Sequence, residues 1–220
     1  MWIRSLDIPA GCRADHWVIC QLVERGSRVL DLGSGEGDLL KLLTVEKEVQ
    51  GMGVEVSEDK VYECVNKGLC VQHGDIDEGL SDWPDRSFDY VILSQTLQEI
   101  LHPVAVIQEM LRVGRKAVIS FPNFAHWRSR WHLLVHGTTP ILHANSHEWY
   151  ETPNIQFVSI RDFYRMCAKK GLSISENYFL SDNRLVEFLP NFFAETAVFV
   201  LALECGSAAA TFTGFRLPPE

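Results

Sequence analysis

The chain has 220 residues, 46% of them hydrophobic, with 29 acidic and 20 basic side chains for a formal net charge of −9. That size and apolar content suit one sizeable core, expected as a single domain over residues 1–205 with a loose tail at 206–220. The acidic balance argues against nucleic acid as a partner, no run of about 20 apolar residues could cross a membrane, and six scattered cysteines without a C-x-x-C pair or a leader-like start fit a reduced cytoplasmic protein.

Residues 14–24 place Trp17, Val18, Cys20 and Leu22 at helical spacing and stop at Gly26. An apolar strand at 28–32 runs through a glycine turn into a helix marked by Leu39, Leu40, Leu42 and Leu43. Residues 51–55 read as a second strand, 59–67 as a helix stopped by Gly68, 69–72 as a third strand and 88–93 as a fourth. Pro103 opens a helix with Val104, Ile107 and Leu111 on one face, closed by Gly114 before a fifth strand at 117–121. Ser159 caps a helix over 160–170 that Gly171 ends. Residues 173–180 and 195–204 finish as two strands without a helix between them. The order implies an α/β fold: a doubly wound, mostly parallel seven-stranded sheet with an antiparallel edge hairpin.

The glycine turn carries the chemistry. Val29-Leu30-Asp31-Leu32 ends in glycines at alternate positions, Gly33, Gly35 and Gly37, where open α/β folds bind nucleotides. The dinucleotide fingerprint wants a third glycine at the position held by Asp38. G-x-G-x-G after an acid-bearing strand instead resembles motif I of the class I S-adenosylmethionine-dependent methyltransferases. Glu55, about 20 residues on at the end of the second strand, can accept from both hydroxyls of a ribose. Asp75, in Gly74-Asp75-Ile76, takes the adenine amino group by the same resemblance. The candidate cofactor residues are Asp31, Gly33, Gly35, Gly37, Glu55, Asp75, Ile76 and Ser94, for S-adenosylmethionine or S-adenosylhomocysteine.

No catalytic residue stands out. The loop after the fourth strand, Ser94-Gln95-Thr96-Leu97-Gln98-Glu99, is polar but offers no base beyond Glu99. It lacks both the Asn-Pro-Pro-Tyr box of base-amino methyltransferases and the Pro-Cys nucleophile of the cytosine C5 class.

Residues 122–158 form an insertion rich in aromatic and histidine residues, expected to be a cap over the cleft or a partner surface. His132/His136 and His143/His147 fall four apart, a spacing that could share a metal, but no acid is placed as in H-E-x-x-H and no metal is assigned. Arg128 and Arg130 beside Trp127 and Trp131 could stack bases, a reading the acidic charge disfavours.

The blocks Phe121-Pro122-Asn123-Phe124-Ala125-His126-Trp127-Arg128 and Trp149-Tyr150-Glu151-Thr152-Pro153-Asn154-Ile155 resemble the methionine biosynthesis protein MetW family. So do Ser94-Gln95-Thr96-Leu97-Gln98 and Gly74-Asp75-Ile76-Asp77-Glu78-Gly79-Leu80, the similarity covering about residues 27–203. Ser34 and Ser57 depart from the family, standing where a cysteine and an acid are common. The resemblance implies a class I methyltransferase, Rossmann-like fold and a role as companion of a homoserine O-acetyltransferase. Two readings follow: an activating subunit that senses S-adenosylmethionine, or a methyltransferase acting on a small metabolite or a protein side chain.

Overall fold

The computed structural model describes residues 3–140 and 150–202. The expectations about His143, His147, Trp149 and the 206–220 tail lie outside the described residues. The strands are β1 (Ile3–Ser5), β2 (Arg28–Leu32), β3 (Gln50–Glu55), β4 (Val71–His73), β5 (Phe88–Ser94), β6 (Gly114–Pro122), β7 (Ile174–Ser181), β8 (Arg184–Val186) and β9 (Thr196–Ala202). The helices are α1 (Ala14–Leu22), α2 (Asp38–Lys47), α3 (Glu58–Asn66), α4 (Pro103–Val113), α5 (Trp127–His136), α6 (Ile160–Lys170) and the single turn α7 (Pro190–Phe193).

One sheet runs in the order β1-β8-β7-β9-β6-β5-β2-β3-β4. The stretch from β6 to β4 is parallel and the remainder antiparallel. The chain leaves β2 toward β3 and β4, then returns to place β5 on the other side of β2. The crevice between β2 and β5 is thus the topological switch point, where such sheets bind ligands.

All seven expected strands are present, and β1 and β8 extend the antiparallel edge to nine. Their three-residue lengths give no readable alternation. Gly114 ends α4 as read from the sequence, in an extended conformation (φ −110°) that also begins β6, so helix passes into strand without a loop. One local expectation is corrected. Residues between β7 and β9 do include a helix, α7, seeded by Pro190 at its first turn. By contrast, Ser159 Oγ accepts from the Asp162 amide at 3.1 Å, and Gly171 takes the left-handed cap (φ 66°), as read from the sequence.

Alternation along the central strands divides the core between the two faces. Leu30, Leu32, Val91, Leu93 and Ile119 pack with Ile107, Met110, Phe163 and Phe199 on one side. Val29, Tyr90, Ile92 and Val118 pack with Val18, Ile19, Leu39 and Leu43 beneath α1 and α2 on the other. By the same parity Asp31, Ser94 and Ser120 belong to the α1 face, at the carboxyl ends of β2, β5 and β6.

Asn123, 1% exposed, joins the three segments after β6. Its Nδ2 donates to the Ala194 carbonyl at 2.8 Å, and its Oδ1 accepts from the amides of Ala125 (3.2 Å) and Ile160 (3.4 Å). Asn123→Ala strands these groups in the interior, at a cost of about 1–3 kcal/mol. For a chain of this size, that predicts a melting temperature lower by about 3–10 °C by calorimetry; an unchanged melt contradicts the assignment.

Candidate functional site

A cleft of about 790 Å³ opens at the switch point. Asp31, Gly33, Gly35, Glu55, Asp75, Ile76 and Ser94 all line it, so residues spread over more than sixty positions converge there. Gly37 is not among the lining residues. Its φ of +80° suits glycine at the start of α2, and a Cβ would meet Leu69 Cδ1 at 2.4 Å and Cys64 Sγ at 2.8 Å. Its role is to let α3 close on the turn rather than to face a ligand.

Glu55 organises the turn. The side chain belongs to a residue only 5% exposed; its Oε2 accepts from the Gly35 amide at 2.8 Å and its Oε1 from the Ser57 amide at 3.0 Å. Backbone bonds from Gly33 and Ser34 to the Val54 carbonyl, at 2.8 and 3.1 Å, seat the same turn on β3. A Cβ built on Gly35 (φ +57°) meets nothing within 4 Å, so the turn presents bare backbone to the cleft. Asp75 is exposed, and its Oδ1 caps the following 3₁₀ turn by accepting from the Asp77 amide at 2.9 Å.

Asp31 lies deeper, 1% exposed, and its Oδ1 has no hydrogen-bond partner among the described residues. Burial, reinforced by the charge of Glu55 and opposed by Arg13, pushes its pKa up to about 7. A buried acid with an orphaned oxygen on a cleft wall lacks a donor or a cation.

The structure adds three residues at the start of α1, Arg13 at its N-cap and Asp15 and His16 in its first turn. Arg13 holds Asp15 through Nε (3.0 Å) and Nη2 (2.6 Å), and Asp15 Oδ2 accepts from Ser94 Oγ (3.3 Å) and Ser120 Oγ (3.2 Å). Burial alone would raise the Asp15 pKa, but Arg13, His16 and Ser120 hold it below the usual carboxylate value. Arg13 and His16 both line the cleft. Burial lowers His16 to about 4, against the pull of Asp15, so its imidazole is neutral near pH 7. The signal was present: Arg-x-Asp-His opens the first turn of a helix whose later residues are apolar.

Past the cleft, Gln95 takes φ +54°, its amide donating to Ser120 O at 2.9 Å, and Gln98 Nε2 donates to its carbonyl at 2.5 Å. The Gln98 carbonyl accepts from the amides of Ile155 (2.8 Å) and Gln156 (2.9 Å), and Ile155 lines the cleft. The end of the insertion therefore contributes Ile155 to the cleft wall. Its helix α5 does not bring its tryptophans inward: Trp127 and Trp131 are 39% and 61% exposed. His132 and His136 have ring centroids 4.8 Å apart, and no group of three metal-binding side chains occurs among the described residues. No helix among the described residues is long and apolar enough to cross a membrane.

Comparison with known proteins agrees with this architecture. Residues 13–201 match the family model described as methionine biosynthesis protein MetW. The bifunctional methionine biosynthesis protein MetXA/MetW of Rhodopirellula baltica is 36% identical over 197 residues, covering 84% of this chain but 32% of that protein. This chain thus spans about a third of that relative. A demethylmenaquinone methyltransferase of Listeria monocytogenes is 27% identical, covering 69% of this chain and 72% of that one. A solved S-adenosylmethionine-dependent methyltransferase from Mesorhizobium loti shares the fold, with TM-score 0.63 at 15% identity over 88% of this chain and 99% of that one. The chain belongs to the MetW family.

Asp31 generates a pH test on the ligand-free protein. A carboxyl whose folded pKa is raised from 3.8 to about 7 favours folding at low pH, an advantage lost as pH rises through about 7. His16, lowered to about 4, tilts stability the opposite way, so the informative quantity is a difference between proteins. Asp31→Asn should gain several degrees on the wild type between about pH 4 and pH 8 in paired thermal melts. A pH-independent difference contradicts the buried, unpaired acid.

Proposed function

We propose that this MetW-family chain binds S-adenosylmethionine, or its demethylated product, in the switch-point cleft and acts as the responsive companion of a homoserine O-acetyltransferase. The residues fit the ligand part by part. Glu55 would accept from the ribose hydroxyls while keeping its bonds to Gly35 and Ser57. Ile76 and Ile100 would enclose the adenine beside Asp75. The orphaned oxygen of Asp31 would accept from the ammonium of the methionine end, and Arg13 would face its carboxylate. When bound, the cofactor supplies an activated methyl group on a sulfonium. The bare backbone at Gly35 leaves the room that its sugar and sulfur need.

The observation that carries the companion role is the relative in which MetXA and MetW units share one chain. Fusion holds two modules at an effective concentration of millimolar order for a short flexible linker, which supports a working partnership between them. We take the MetXA unit as the acetyltransferase of the pathway. A sensor of the methylated end product on that enzyme needs a binding cleft and a partner face.

The second reading, methyl transfer to a small molecule or a protein side chain, is favoured by His16. The loop after β5 offers no base beyond Glu99, yet a neutral imidazole lines the cleft, able to take a proton from an acceptor. Kinetics decide between the readings.

Calorimetry should show S-adenosylmethionine binding that Glu55→Ala weakens at least tenfold, since a hydrogen bond to a charged group contributes about 1.5–3 kcal/mol. Gly35→Val should bind more weakly still. Tight binding indifferent to Glu55→Ala overturns the site. The purified chain should form S-adenosylhomocysteine slowly or not at all, and should raise acetyltransferase turnover when added to that enzyme. Rapid, acceptor-dependent product formation by the isolated chain promotes the second reading.

A further inference from the structure

The helix α5 is amphipathic in the wrong sense for a helix that serves its own core. At roughly 100° per residue, Trp127, Trp131, Leu134 and Val135 share one side. Their exposures are 39%, 61%, 78% and 52%, whereas the buried residue of the helix is Ser129, on the other side. A helix that turns tryptophan and leucine outward and serine inward has been built for something beyond the chain.

The face continues onto α7. Phe188, Leu189, Phe192 and Phe193 are 38–47% exposed in one turn. Their rings touch one another, with centroids 4.9 Å apart for Phe192–Phe193 and 6.3 Å for Phe188–Phe193. Leu189 takes a left-handed conformation (φ 44°) and is 45% exposed. Arg130 joins the two parts: its guanidinium sits 5.4 Å from the Phe192 ring and its Nε donates to the Ala125 carbonyl at 2.6 Å. Arg128 pairs with Glu195 at 3.1 Å, and Asn123 and Asn191 pin α5, α6 and α7 together. The aromatics are therefore held on a rigid base, as binding anchors require.

Charge narrows the occupant. Residues 124–136 contain Arg128 and Arg130 and no acid, in a chain of net charge −9, and Arg161 lies exposed where its amide meets Asn191. An isologous pairing of two copies would bring two faces of the same basic character together, with no acid from residues 124–136 to meet them. The five exposed aromatics alone offer on the order of 500 Å² of contact, a large part of the ~800 Å² per partner of a standard interface.

We infer that the composite face formed by the outer stripe of α5 and the aromatic turn at 188–193 is where the homoserine O-acetyltransferase docks, through an apolar patch rimmed by acidic side chains. This rests on the companion reading above and adds to it a segment, residues 188–193, outside the 122–158 insertion. It also separates the duties of the insertion: residues 155–156 hang from Gln98, with Ile155 in the cleft wall, while α5 faces the partner.

The test is titration of the full-length chain with the acetyltransferase of the same genome, alongside thermal melts. Trp131→Ala and Phe192→Ala should each raise the dissociation constant roughly thirtyfold or more while shifting the melt little. Tyr62→Ala, on the exposed side of α3, should change neither. If Phe192→Ala does not fold, Trp131→Ala, more than half exposed, carries the test. Wild-type binding with both variants binding equally well removes this face and leaves the companion role standing. No binding by the wild type removes the companion role and the assigned occupant together. A dimer of the isolated chain that Trp131→Ala dissociates assigns the face to a second copy, and a Trp131→Ala protein that melts far lower yet binds normally assigns the tryptophan to folding; either overturns the inference.

Discussion

The site depends on one carboxylate gripping two backbone amides. Glu55, at the end of β3, receives the amide of Gly35 on one oxygen and that of Ser57 on the other. Both bonds are charge-assisted, each contributing about 1.5–3 kcal/mol, which offsets the cost of holding an acid at 5% exposure. One bond fixes the turn leaving β2; the other fixes the start of α3. Together they fix the floor of the cleft.

A second constraint follows from strand alternation. The positions of β2, β5 and β6 that face α1 are apolar in mid-strand, then become Asp31, Ser94 and Ser120 at the carboxyl ends. A helix laid over that edge must bring polar partners, and α1 does so with Asp15, braced by Arg13. The N-terminal helix is therefore part of the site as well as the core. Asp31 remains the unsatisfied member of this polar edge, and a ligand carrying a positive charge would complete it.

The parallel half of the fold was legible because each element carried its own punctuation: Gly26, Gly68 and Gly171 after helices, Pro103 and Ser159 before them. The convergence of the candidate residues was legible because they cluster at strand ends. What escaped was non-local. Strands β1 and β8 have three residues each and are defined by their partners rather than by any pattern. Gly114 is the helix stop the sequence indicated, but that a Cβ there would also meet Val91 Cγ2 at 2.6 Å on the neighbouring strand could not be read from it. Arg13, Asp15 and His16 precede the apolar pattern of their helix and look like a solvated first turn; only the sheet edge beneath them gives them work. The aromatic content of α5 was legible, but which side of the helix faced the body depended on Asn123 and Arg130.

These features describe a chain with a methyltransferase fold, a cleft at the switch point of its sheet and an apolar face on α5 and α7. The MetW family membership and the fused MetXA/MetW relative support reading the two surfaces together. The measurement that tests this account most directly is a crystal structure of the chain grown with S-adenosylhomocysteine. The account predicts the ribose hydroxyls on Glu55, with the Gly35 and Ser57 bonds retained, and the amino-acid end between Asp31 and Arg13. A ligand bound elsewhere, or a cleft that stays empty at millimolar S-adenosylhomocysteine, would contradict it.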